Sequence, residues 1–202
     1  MRHVRWVRIW KGLQNMRTAA LFSRISIGLI TAVIAVSGTV ALALDNARMD
    51  SEVAGTLQQF YKLVPDRNQY LVQNAAAVLV FPDVTKAGVG FGGEHGDGAL
   101  QQKGKTVGYY SISGASIGLT LGVSHHSEVI LFQTPEARDK FVNNGSDWSL
   151  GADASVAVVK KGAGGTYDSE TLKKPVLVFV FGEVGLMGDA SVQGAKISKI
   201  AQ

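Results

Sequence analysis

Two short glycine motifs in the chain match signatures of enzyme sites. Residues 88–93 (GVGFGG) fit the G-x-G-x-x-G pattern of dinucleotide sites, and residues 114–118 (GASIG) fit the G-x-S-x-G pattern of nucleophilic serines. The first pattern needs a helix opening at the glycines and an acidic residue about twenty positions later, but residues 106–118 contain no Asp or Glu. The second needs a strand, a turn and a helix around Ser116, whereas residues 119–123 alternate as a strand. Neither motif therefore predicts a catalytic site.

The histidines and acidic residues do not form a recognisable catalytic or metal site. A serine hydrolase of this type needs an acid and then a histidine well downstream, but no histidine follows His126. His95 stands near Glu94 and Asp97, and His125 precedes His126, without a spacing that closes a metal coordination shell. Because the chain has no cysteine, thiolate nucleophiles, thiolate metal sites and disulfides are excluded. We expect a protein that is not an enzyme and uses no metal or cofactor.

The charge is distributed unevenly along the 202 residues. The formal net charge is +4, yet the first 43 residues hold six basic residues and no acidic one. The rest of the chain carries 14 basic and 16 acidic residues. A slightly acidic body does not favour nucleic acid as a partner, because nucleic-acid binding needs a basic surface.

The N-terminal segment predicts export. Residues 25–42 are uncharged, follow basic residues, and lead into residues 41–43 (ALA), the small-x-small pattern of a signal peptidase site. We predict a signal peptide over 1–43, with an alternative start at Met16, and a single domain over 44–202. An uncleaved membrane anchor is the alternative, because the apolar run is at the lower length limit of a span. Either interpretation places the body outside the cytoplasm, in the secreted space or the periplasm.

The first part of the body has the periodicity of helices. Residues 46–64 predict a helix that Pro65 ends, and residues 67–74 predict a second, shorter one. Residues 135–143 predict a third, with Thr134 as its N-cap. Apolar residues three and four apart form one stripe on the first helix: Met49, Val53, Leu57, Phe60 and Val64.

The rest of the body has the period of strands. Residues 77–81 predict a buried strand, and glycine or another small residue then takes every second position in 87–92 and 114–124. Further strands are predicted at 128–133, 149–159, 176–182 and 184–193. Turns are predicted at Asp97-Gly98, Lys103-Gly104-Lys105 and His125-His126-Ser127. We predict an α+β fold with N-terminal helices, then a glycine-rich, mainly antiparallel curled sheet, barrel-like or sandwich, with one mid-chain helix.

Three segments occur in a recognisable order. They are AAAVLVFPDVTKAGVGFGGEHGDG at 75–98, GYYSISGASIGLTLGVSHHSEVILFQTPEARDKF at 108–141, and EVGLMGDASVQGAKISKI at 183–200. Together they resemble the SYLF domain, a lipid-binding family also described as the Ysc-type actin-binding domain, over residues 47–202.

The resemblance implies a non-enzymatic module. Eukaryotic relatives are associated with phosphoinositides or other anionic membranes, partly through an amphipathic N-terminal helix, and some fungal ones with filamentous actin. Bacterial relatives are secreted or lipid-anchored envelope proteins. This chain departs from the anchored pattern because it has no cysteine, and it lacks SH3 and FYVE modules, so actin is not an expected partner.

We therefore expect a lipid-binding module of the cell envelope or secreted space that recognises anionic lipids or phosphoinositides. The alternative is a structural domain of the envelope that binds another protein. The predicted lipid-binding residues lie on and just beyond the first helix: Arg48, Val53, Leu57, Phe60, Lys62 and Arg67. Further head-group contacts are expected from Lys86, Lys103 and Lys105. The competing interpretation of the helical stripe is that it packs on the sheet as core.

Overall fold

The structure is a computed structural model of the chain. It describes residues 45–144, 148–150, 156–160 and 170–200. The chain divides into two compact units, Met1–Ala47 and Arg48–Gln202, and the fold below is that of the second unit. The predicted signal peptide over 1–43 lies outside the described residues and stays a prediction.

Two helices precede the sheet, and both predicted helices are confirmed. Helix α1 spans 45–63 and helix α2 spans Arg67–Asn74. Pro65 separates them because its ring excludes the helical conformation for the preceding residue and removes a backbone donor. No helix within the described part of the chain is long and apolar enough to cross a membrane.

Helix α3 spans Pro135–Asn143, as predicted. The Thr134 side chain accepts a hydrogen bond from the Ala137 backbone N–H at 3.2 Å, which satisfies a donor that the first turn leaves open. The helix contributes Phe141, which is fully buried against the rings of Tyr110 and Phe132, with centroids 5.0 and 4.8 Å away.

Three very long strands and two short ones form one sheet. The strands are β1 (Ala77–Gln102), β2 (Lys105–Phe132), β3 (Trp148–Leu150), β4 (Val156–Lys160) and β5 (Val176–Lys199). The order is β1-β2-β5-β3, all antiparallel, and β4 pairs with β5 in parallel. A 3₁₀ turn at Thr171–Lys173 precedes β5. The predicted α+β fold with a curled, mainly antiparallel sheet is confirmed.

The strands are longer than predicted because they continue through residues that predict breaks. The predicted strands at 77–81 and 87–92 are one strand, and the intervening Pro82 sits at a register shift between Phe81 and Val84. A proline is tolerated there because β1 is at the edge of the described sheet and a bulge needs no ladder donor from it. In the same way the predicted strands at 176–182 and 184–193 form the single strand β5.

One predicted turn is confirmed and two are wrong. Lys103 and Gly104 have φ angles of 51° and 74°, as a two-residue hairpin turn between β1 and β2 requires. Asp97-Gly98 lies inside the ladder, where Asp97 pairs with Ser111. His125-His126-Ser127 also lies inside the sheet, because β2 runs through it to Phe132.

Strand β1 curls so sharply that its two halves meet. The position of a Cβ on Gly96 would lie 2.6 Å from the Asp83 carbonyl oxygen, and a Cβ on Gly98 would overlap the Val80 carbonyl oxygen. Only glycine permits backbones to approach this closely. The glycine of the Asp-Gly pair therefore serves this contact and not a turn, which is the physical reason why the predicted hairpin is wrong.

The curl gives the sheet an inner and an outer face, each with its own core. The inner core includes Phe81, Ile112 and Ile130 and receives Phe141 of α3. The outer core lies under α1 and α2, where Phe60 packs on Phe179 and Phe181 with ring centroids 4.9 and 5.7 Å away. We call this doubly covered part of the sheet the base, and the glycine-rich middle of the long strands (86–95, 113–125 and 182–194) the rim.

Candidate functional site

The apolar residues predicted to face a membrane from α1 are core residues in the structure. Val53 and Phe60 are fully buried and Leu57 is 7 % exposed, all packed against the outer face of the base. Their position agrees with the competing interpretation, in which this stripe packs on the sheet as core. A membrane could reach them only if α1 left the sheet.

The basic residues predicted on and after α1 remain at the surface. Arg48 is paired with Glu52 at 2.8 Å, and its side chain is 77 % exposed. Lys62 and Arg67 are exposed as well. The nearby Asp50 accepts hydrogen bonds from the hydroxyls of Thr106 at 2.8 Å and Tyr109 at 3.1 Å, which ties the start of α1 to β2. Burial, together with the hydrogen bond to Asp50 and the charge of that carboxylate, raises the pKa of Tyr109.

The three lysines predicted around the first hairpin are not equivalent. Lys103 and Lys105 are exposed at the turn between β1 and β2. Lys86 is 5 % exposed and lies on the inner face of the sheet, paired in register with Ser124. Lys86 is therefore not available to head groups at the surface.

The rim carries a group of exposed apolar side chains on its outer face. Their exposed fractions are between 50 and 79 %, and they belong to three neighbouring strands: Val89, Phe91, Leu121, Val123 and Val184. We call these five residues the rim patch. Val89 pairs directly with Leu121, while Val123 and Val184 lie one or two positions further along the same face. A contiguous apolar surface of this kind marks an interaction site more often than single exposed side chains do.

The rim patch is exposed because the strands extend beyond the helices. The same outer face is buried in the base by α1 and α2, whose apolar residues form one core cluster with Val78, Val80 and Val129. Past Thr85 and His125 no helix of the described residues covers the sheet, so the alternation that buries side chains in the base exposes them at the rim.

Polar pairs border the rim patch at two ends. On one side the His125 Nδ1 lies 3.0 Å from Asp83 Oδ1 and 3.1 Å from Thr85 Oγ1. On the other side His95 Nε2 lies 3.8 Å from Asp97 Oδ1. An apolar centre with a polar border is the usual anatomy of an interface.

Sequence reasoning identified the alternation at the rim but not the exposure of its apolar residues. Glycine at every second position of 87–92 predicts a strand with small residues on one face, but it does not tell whether Val89 and Phe91 on the opposite face are covered. The signal that could have found the patch is a length mismatch: two helices of 19 and 8 residues cannot cover strands of 24 to 28 residues.

A second feature that sequence reasoning missed is a cluster of polar side chains on the inner face. His126 and Glu128 are paired, Nε2 to Oε1, at 3.2 Å, and each side chain is 9 % exposed. Ser124, 2 % exposed, lies on the same face, opposite Lys86. No group of three or more metal-ligating side chains occurs among the residues that the structure describes.

The two enzyme-like motifs are strands in the structure. The backbone of 88–93 belongs to β1 and that of 114–118 to β2, so neither motif has the strand-turn-helix geometry that its chemistry needs.

Comparison with known proteins gives a match to a family model. A family model described as Ysc84, Las17-binding protein actin regulator, matches residues 113–202. No curated protein and no solved structure matches the chain. The matched segment starts in β2 and continues through β5, so it contains the rim segments 113–125 and 182–194 but not that of β1. The resemblance to the SYLF domain is thereby confirmed for this part of the chain: residues 113–202 match the Ysc84 (SYLF) family, which is known for lipid- or actin-binding roles.

Proposed function

We propose that the protein is a non-enzymatic module that binds lipid surfaces through the rim patch. The observation that carries the proposal is the set of five large apolar side chains, 50 to 79 % exposed, that lie together on three strands. Removal of one such side chain from water is worth about 1–2 kcal/mol when it is half to mostly exposed beforehand. Several inserted together therefore give a useful affinity for the interfacial region of a bilayer.

Anionic lipids or phosphoinositides are the finer part of the proposal. Its support is the set of exposed basic side chains on the same unit, among them Lys62, Lys103 and Lys105. Their attraction to acidic head groups falls off within a Debye length and weakens with salt. The acidic residues Asp83 and Asp97 at the border of the rim patch oppose that attraction, so we expect apolar insertion to supply most of the affinity.

The N-terminal segment bears on where the protein would meet lipids. If the predicted signal peptide is removed, the module meets lipids in the envelope or the secreted space, where actin is not a partner. N-terminal sequencing of the protein released from its host tests cleavage after Ala43.

The test is co-sedimentation of the full chain with vesicles of phosphatidylcholine alone, with added phosphatidylglycerol, and with added phosphoinositide, at low and physiological salt. The decisive variant is the double change Val89→Asp and Leu121→Asp, which puts two charges in the centre of the rim patch. The matched control is Val107→Asp, because Val107 is an equally apolar strand residue, 50 % exposed, outside the patch.

We expect the double variant to bind vesicles at least tenfold more weakly than the wild type, while its circular dichroism and melting temperature stay close to those of the control. A second variant, Lys103→Gln with Lys105→Gln, should lower binding only to acidic vesicles and mainly at low salt. The proposal fails if the folded wild type binds no vesicle, or if the double variant and the control bind equally.

A protein partner is the second candidate function. The family description itself names a protein-binding role. In addition, β1 pairs only with β2 among the described strands, so its other edge offers backbone donors and acceptors to an added strand. A protein partner at this edge would be displaced by changes in β1 that spare Leu121, whereas a membrane would respond to Val89 and Leu121 alike.

A further inference from the structure

The two polar pairs at the border of the rim patch each join a carboxylate to an imidazole. His125 Nδ1 lies 3.0 Å from Asp83 Oδ1, and these side chains are 50 and 63 % exposed. His95 Nε2 lies 3.8 Å from Asp97 Oδ1, and these side chains are 68 and 47 % exposed. An imidazole is the side chain whose charge ordinarily changes between pH 5 and 8. Each end of the patch therefore carries a group that can gain a positive charge on acidification.

His125 belongs to the same surface as the rim patch. Its register partner on β5 is Val184, and Val123 lies two positions before it on β2, so the three side chains share the outer face. On β1 it contacts Asp83 and also Thr85 Oγ1, the latter at 3.1 Å. A proton gained by His125 therefore places its charge beside the apolar side chains that we propose to enter a bilayer.

Further charged groups lie at the same end of the sheet as His125. Helix α1 reaches this end because the ring of Phe60 packs on Phe181, which pairs with Ser127 two positions after His125. The charged side chains that β5 and the ends of α1 and α2 add here are all exposed: Glu183, Lys62, Asp66 and Arg67. Both signs are represented, so these groups do not cancel or reverse a charge gained at His125.

His95 lies at the other end of the patch, four residues after Phe91 on the same face of β1. The charged side chains on that side come from β1, β5 and α1 and are Asp97, Lys196 and Asp50. Lys196 is exposed and is connected to His95 through Ser113, which pairs in register with both. Surface carboxylates and ammonium groups ordinarily keep their charge between pH 5 and 8, so they form a constant background to the change at the imidazole.

We propose that the rim patch is a pH-dependent binding site for acidic membranes, which binds them more tightly when His95 and His125 are protonated. This proposal rests on the function proposed above. Without those protons, Asp83 and Asp97 repel acidic head groups, and each imidazolium offsets one of these two carboxylates. One charge close to an acidic membrane changes the affinity about fivefold, so two charges give roughly a tenfold or larger increase.

The experiment is co-sedimentation of the full chain at pH 7.5 and pH 5.5. The vesicles contain phosphatidylcholine alone or with added phosphatidylglycerol, whose phosphate stays ionised in this range. We expect the wild type to bind the acidic vesicles roughly tenfold or more tightly at pH 5.5 than at pH 7.5. Binding to phosphatidylcholine alone should change by less than about twofold, because those vesicles carry no net charge.

The double variant His95→Gln with His125→Gln should lose the increase, because glutamine is neutral at both pH values. The matched control is His126→Gln: His126 is the next residue in the chain, but its side chain lies on the inner face and is 9 % exposed. This control should keep the increase. Asp83→Asn should bind acidic vesicles about fivefold more tightly already at pH 7.5, because it removes one repelling charge. Circular dichroism and melting temperatures verify that each variant is folded.

A measurement on the wild type does not depend on the folding of any variant. If protonation strengthens membrane binding, membrane binding must in turn take up protons. Calorimetry at pH 6.5 in two buffers of different ionisation enthalpy measures this uptake, which we expect with acidic vesicles. Equal binding at both pH values, no proton uptake, or the same loss in His126→Gln as in the double variant overturns this proposal and leaves the function of the rim patch standing. If the folded wild type binds no vesicle at either pH, both proposals fail.

Discussion

The base and the rim are built from the same three strands, yet they differ in what their side chains meet. In the base, the outer face lies under α1 and α2 and the inner face encloses a second core that includes Phe141. At the rim, Val89 and Phe91 point outward with 79 and 75 % of their surface exposed. The alternation of the strands is common to both regions, so burial is decided by the reach of the helices and not by the local pattern. We therefore expect the base to supply most of the stability, and the apolar side chains of the rim remain exposed.

The largest expected effect comes from the same truncation made in both regions. Phe60→Ala in the base removes a fully buried ring that packs on Phe179 and Phe181, and should lower the free energy of unfolding by about 3–5 kcal/mol. Phe91→Ala at the rim should change it by no more than about 0.5 kcal/mol. Urea unfolding of both variants measures the difference. Equal losses would contradict the division into a stabilising base and an available rim.

A smaller effect is expected at the contact that closes the curl. Gly98→Ala places a Cβ against the Val80 carbonyl oxygen, and backbone must shift to accept it, so we expect a loss of about 1–3 kcal/mol. Gly55→Ala is the control, because Gly55 lies in α1 with open space around it, and alanine there should add about 1 kcal/mol of stability. The melting temperatures of the two variants and of the wild type measure both changes. A Gly98→Ala variant as stable as the wild type would show that the two halves of β1 do not approach as closely as described.

The smallest effect is a difference in stability at alkaline pH. Burial raises the pKa of Tyr110, which belongs to the inner core of the base. Its neutral form is favoured in the folded state, so its stabilisation is fully present below pH 10 and is lost as the pH rises through the folded-state value. Tyr110→Phe should therefore show a shallower decline of unfolding free energy above pH 10. Parallel declines in the variant and the wild type would mean that this ring titrates alike in both states.

The helices and the first hairpin turn could be predicted because their signals are local. Pro65 ends α1, Thr134 caps α3, and Lys103-Gly104 supplies a turn of two residues with positive φ. Each signal acts within a few residues of itself, where sterics and hydrogen bonding of the backbone dominate.

Two features could not be predicted: how far each strand continues, and which of its side chains are buried. Both depend on residues that are distant in the sequence. Pro82 stays in the sheet since β1 has a free edge there, and Gly98 serves a contact with a residue eighteen positions earlier. The position of Glu128 beside His126 on the inner face follows from the curl, which no local pattern encodes. For the same reason, the sequence shows that Val53, Leu57 and Phe60 of α1 form one stripe. It does not show whether that stripe packs on the sheet or faces a membrane.

The pairing of β5 with β2 also determines when the sheet can form during synthesis of the protein. Its partners are 44 residues apart at Phe132 and Val176 and 89 residues apart at Tyr110 and Lys199. The hairpin of β1 and β2 can form early because its turn is local. The other edge of β2 then stays unpaired until β5 has been made. Such distant contacts slow folding, and an open edge invites pairing with other chains in the meantime. The nascent protein is therefore most vulnerable to aggregation just before β5 is made.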